Sequence, residues 1–152
     1  MAKEFDVATT LQYETQQTID SWYARVNEEP ELSAVPMSRE DRCGHLPEVF
    51  RDLVNRLRSQ LPLGKSALAS EAAKKHGRLR RVQGYTPAMM VAESRMLQVS
   101  IFETLQQHVE ETVPRVLLLS VMVIADEVDS QLAQAMSSYI LEAKSDAKAI
   151  AA

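Results

Sequence analysis

The chain has 152 residues, 45% hydrophobic and 25% charged, a composition for one globular domain rather than a disordered segment. A net charge of -4 and a pI near 5.4 argue against a dedicated nucleic-acid binder, and the single cysteine, Cys43, excludes an intrachain disulfide and any cysteine-based zinc site. The N-terminus has no apolar signal-peptide core, and the most apolar run, Val116 to Ala125, is too short to span a bilayer, so no membrane insertion and a cytoplasmic location are expected.

Few glycines and many Ala, Leu, Glu, Gln and Arg favour helix throughout. The first helix is expected over about residues 6–28, with Val7, Leu11, Thr18, Trp22 and Val26 at helical spacing and Trp22 as a core anchor. Pro30 and Pro36 mark a loop over 29–37. Ser38 with Asp41 resembles a capping box and predicts a short helical turn. The second helix starts at Pro47, carries Leu46, Val49, Phe50, Leu53 and Leu57, and is broken by Leu61-Pro62-Leu63-Gly64.

Ser66 is the expected N-cap of a third, basic helix, with Leu68, Ala69, Ala72, His76 and Leu79 on its packed face. Gly84 should close that helix in the left-handed conformation, and Thr86-Pro87 should open the fourth, which runs to about Glu111. Met90, Ser94, Leu97, Ile101 and Leu105 form its stripe, widened by Val91 and Phe102. Pro114 opens the fifth helix, expected to run to about Ala147, with 144–152 a fraying tail or the start of a linker. Its first half is apolar nearly all round, which reads as buried and central; its second half narrows to Val128, Leu132, Ala135 and Tyr139, a coiled-coil-like seam. The short connections predict one all-α domain over 1–152, a bundle of about five helices, with a globin-like arrangement without haem as the rival.

No nucleophile arrangement and no phosphate-binding glycine loop occur. Three histidines, His45, His76 and His108, sit on different segments, so no metal ligand set is assigned. His76 reads as a core or interface histidine satisfied by partners. With three Phe and one Trp the chain offers little aromatic lining for haem, and no cofactor is expected. The basic run on the third helix lacks aromatic interleaving, so it reads as a solvated or partner-docking face rather than a nucleic-acid site.

The block His76-Gly77-Arg78, Arg80, Gln83-Gly84-Tyr85 and Pro87, followed by Glu93, Arg95 and Leu97, resembles the N-terminal domain of RsbR-type RsbT co-antagonists, a domain that also precedes bacterial histidine kinases. His45-Leu46-Pro47 and Trp22 add to the likeness, which spans roughly residues 10–143. The resemblance implies a sensory or regulatory input domain without catalysis, its last helix leading to a kinase or anti-sigma-antagonist module or to a partner protein. His76, Arg78, Arg80, Gln83, Gly84, Glu93 and Arg95 are the motif residues it singles out. A homodimer is expected through the seam Val128, Leu132, Ala135 and Tyr139, and a small ligand is an open possibility. The alternative is a stand-alone small-molecule- or haem-binding protein. Counting outward from Tyr85 puts His76 and Glu93 at similar heights on facing helices, with Arg80 one turn nearer the bend. Glu93 is therefore expected to accept hydrogen bonds from His76, Arg80 or both.

Overall fold

Two short N-terminal helices stand where one was expected: α1 (Val7–Tyr13) and α2 (Thr15–Glu28) are separated at Glu14. The hydroxyls of Thr15 and Thr18 bond back to the carbonyls of Leu11 and Glu14, a pattern that bends helices. The structure, a computed structural model, describes residues 6–64 and 69–151. The region expected as loop holds one turn of helix, α3 (Pro30–Ser33), and Ser38 caps α4 (Arg39–Cys43) by accepting from the Asp41 amide. Then follow α5 (Leu46–Arg58), α6 (Glu71–Val82), α7 (Pro87–Gln106), a 3-10 turn at Val109–Glu111, and α8 (Pro114–Ala151). Among the described residues there is no strand. The fold is an all-α bundle.

Ser66 and Leu68 lie outside the described residues. The N-cap of α6 is Ser70, whose hydroxyl accepts from the Ala73 amide at 3.1 Å and donates to Asp52 at 2.8 Å. Its buried face is Ala73, Gly77 and Arg80, one position on from the expected stripe, and Leu79 is exposed. The reason is backbone contact. A Cβ on Gly77 would come within 1.9 Å of the Ala135 carbonyl oxygen, so α6 meets α8 where α6 has no side chain.

The turn after α6 follows its sequence. Gly84 has φ +94, the Tyr85 amide reaches the Arg80 carbonyl and the Gly84 amide that of Arg81, which together form a Schellman closure. Thr86 then caps α7 through the Met89 amide. Of the two residues expected to widen the stripe of α7, Phe102 is half-buried and Val91 is exposed. The helix ends at Gln106 rather than near Glu111.

Helix α8 reverses the expected burial. Its apolar first half is largely exposed at Val116, Leu118, Leu119 and Met122, whereas Ile124, Val128, Ala135 and Tyr139 are in the core. Helices α5, α6 and α7 all pack on α8, and they cover its second half. Val128, Ala135 and Tyr139 of the seam are thus packed within the chain, with Leu132 half-buried against the same core. The helix continues to Ala151.

A buried histidine, arginine and glutamate cluster

Arg80 and Glu93 come from the two sides of the Gly84 turn. Arg80 is 1% exposed and Glu93 4%. An unpaired charge at such depth would be very costly, so the two require one another. Arg80 Nε donates to Glu93 Oε1 at 3.1 Å, and His76 Nε2 lies 3.1 Å from the same oxygen. The rest of the guanidinium is also engaged: it donates to Gln83 Oε1 at 2.7 Å and to the Arg42 carbonyl at 2.8 Å, and it lies over the Tyr85 ring. Trp22 Nε1 donates to the Glu93 carbonyl at 3.2 Å, which ties α2 to the same residue.

His45, just before α5, completes the group. Its ring stacks on His76 with centroids 3.7 Å apart and planes 14° from parallel, and Trp22 meets it edge-on at 6.0 Å. Burial holds the His45 pKa well below the ordinary range, with His76 and Arg80 adding to the effect. Burial also lowers that of His76, against the opposing pull of Glu93. Both rings are therefore neutral at neutral pH. For Glu93, burial works to raise the pKa, but the His76 hydrogen bond and the Arg80 charge outweigh it and keep the carboxylate ionised. The Tyr85 hydroxyl faces this carboxylate and receives a hydrogen bond from Arg42 at 2.6 Å. Among the described residues, two buried polar atoms of the cluster find no hydrogen-bond partner: His45 Nδ1 and Glu93 Oε2.

The stacked histidines line two adjoining spaces. One is an apolar pocket of about 50 Å³, bounded by Trp22, Met90, Leu97, Val128 and Leu132. The other is a polar cleft of about 220 Å³, with Glu40, Asp41, Glu48 and Lys75 on its walls. The apolar pocket is far below the roughly 300 Å³ at which small-molecule sites begin. It has room for water or a small ion.

Of the motif residues, His76, Arg80, Gln83 and Glu93 converge here, and Gly84 makes the turn that brings them together. Arg78 and Arg95 are exposed and lie outside the cluster. Sequence reasoning missed His45, Arg42 and Tyr85. His45 and Tyr85 fall within the quoted motif segments, but apolar spacing does not show that they face inward. Arg42 carries no signal at all: it is an arginine on a five-residue helix, yet 3% exposed and donating to the Val35 carbonyl at 2.9 Å.

Among the described residues no helix is long and apolar enough to cross a membrane. No curated protein and no solved structure matches the chain. Residues 16–149 match the family described as the RsbT co-antagonist protein rsbRD N-terminal domain, a match that covers the whole cluster and both helices of the Gly84 turn. The chain belongs to that family of regulatory domains.

Proposed function

We propose that this domain is the non-catalytic sensory input of a bacterial signalling protein, and that it passes its signal through α8. One observation carries the reading: the buried cluster and its apolar pocket rest directly on α8. Val128, Gln131, Leu132 and Ala135 line that pocket, and Gly77, one residue from His76, touches the Ala135 carbonyl without an intervening side chain. A change at His45, His76 or Glu93 therefore bears on the helix at four positions within about two turns. Tyr139 fixes the next turn by donating to the Tyr85 carbonyl at 2.6 Å.

The output is a RsbT-type partner protein or an attached kinase or anti-sigma-antagonist module, in keeping with the family. Self-association belongs to the exposed first half of α8, since the seam is internal. The run Val116–Ala125 has no charge to recruit an acidic or basic partner, and a second copy related by a two-fold axis presents the same uncharged surface.

Hydrogen exchange on Glu93→Gln tests the transmission. Amides of residues 128–139 should exchange faster than in the parent, although position 93 is on another helix. Faster exchange confined to α6 and α7, with α8 unchanged, would refute it.

A further inference from the structure

We propose that His45, His76 and Glu93 form a binding site for a divalent transition-metal ion of the zinc and cobalt class. This goes beyond the regulatory reading and does not depend on it.

Each of the three residues offers one ligand atom, and these atoms lie within 4.8 Å of one another. Two neutral imidazoles and a carboxylate are the donor set that selects borderline divalent ions over magnesium or calcium, which prefer all-oxygen shells. Two orphan atoms strengthen the case. Buried polar atoms are nearly always hydrogen-bonded, yet among the described residues Nδ1 of His45 and Oε2 of Glu93 are not, and both are side-chain atoms of residues in this set. An ion would satisfy both at once.

The charge environment fits. Arg80 is the cation next to the site, but it is already held by Glu93, Gln83 and the Arg42 carbonyl, and it orients the carboxylate from behind. The polar cleft outside the histidines has Glu40, Asp41 and Glu48 against Lys75 and Arg80, so its walls favour a cation on the way in. Three protein ligands leave a coordination position for water from that cleft, the arrangement of open rather than structural sites.

Binding requires a definite movement. Metal–ligand bonds near 2.1 Å put ligand atoms about 3.4 Å apart, closer than the present limit of 4.8 Å. A nitrogen lone pair lies in its ring plane, so two rings stacked at 14° cannot both aim at one ion. One ring must leave the stack. His45 is the freer of the two, because its Nδ1 has no bond to lose, whereas His76 is tied to Glu93.

The test uses the untagged full chain titrated with cobalt(II) alone, in a buffer that does not chelate. With only three histidines and one tryptophan, each readout is assignable. Expected are one ion per chain, quenching of Trp22, and paramagnetic shifts of the His45 and His76 ring protons with those of His108 unmoved. His45→Phe keeps an aromatic ring in the stack and should weaken binding at least tenfold; His108→Phe should leave it unchanged. Absence of saturable binding by the parent overturns the proposal. So do shifts confined to His108, or equal affinity in folded His45→Phe. The ring-proton shifts of the parent decide the matter even if a variant fails to fold.

Discussion

Arg80 Nε and Glu93 Oε1 are 3.1 Å apart, and both side chains are almost wholly removed from water. Removing one partner leaves the other as a buried lone charge, which typically costs about 3–5 kcal/mol. Glu93→Ala should fall in that range and should also free His76. Arg80→Ala combined with Glu93→Ala should cost less than the two single changes added together, with a coupling of about 1–3 kcal/mol. Urea unfolding of the four proteins in the cycle measures this. Additive effects would mean that the pair contributes no more than a surface contact.

Gly77 and Gly84 should respond differently to the same substitution. Gly84→Ala meets no atom within 4 Å and suffers only from φ +94. Its expected cost is about 1 kcal/mol. Gly77→Ala drives a Cβ into the Ala135 carbonyl at 1.9 Å, so α6 and α8 have to separate. Overpacking of this kind costs about 1–3 kcal/mol or more. Melting temperatures of the two variants should therefore rank Gly77→Ala clearly below Gly84→Ala. The reverse order would contradict the α6–α8 contact.

Leu119→Glu and Leu132→Glu separate self-association from folding. Leu119 is exposed, so its replacement should leave the free energy of unfolding within about 0.5 kcal/mol of the parent. If the first half of α8 joins two copies, sedimentation should shift that variant toward monomer. Leu132 packs against the chain's own core, and a charge there should instead lower stability. A parent that sediments as monomer at high concentration would remove the dimer altogether.

Glu127 is a source of pH dependence away from the histidines. It is buried on α8, with Gln131 on its own helix, Asp126 beside it, and Arg56 and Asp52 facing it from α5. Burial holds its carboxyl above the ordinary value of 4.5, and Asp52 and Asp126 add to this against Gln131 and Arg56. The folded state thus binds this proton more tightly than the unfolded chain does. Its contribution to stability is most favourable below 4.5 and declines as pH rises through the raised value. Glu127→Gln should stabilise the protein at neutral pH and change little in acid, as read by urea midpoints at the two pH values. Arg56 keeps Asp126 at 3.3 Å in that variant. A gain of equal size at both pH values would refute the assignment.

The α6–α7 turn was legible because its chemistry is local. Gly84, Thr86 and Pro87 each fix their own backbone, and no distant residue is needed to interpret them. The buried face of α6 was not, because apolar spacing counts side chains and the closest contact there depends on the lack of one at Gly77. The burial of α8 failed for a different reason. An apolar run states what water disfavours, but which part is covered depends on where α5, α6 and α7 end. Within the site, His76, Arg80 and Glu93 followed from counting residues outward from the bend. His45 did not, since its partner is 31 positions away and the stack leaves no periodic trace.

His45 and His76 are the residues that line both the polar cleft and the apolar pocket. Rotation of one imidazole about its own bonds changes the lining of both at once. Side-chain rotation is far faster than domain or helix motion. A turn of either ring therefore reshapes both spaces on a faster timescale than any unfolding of the helices around them.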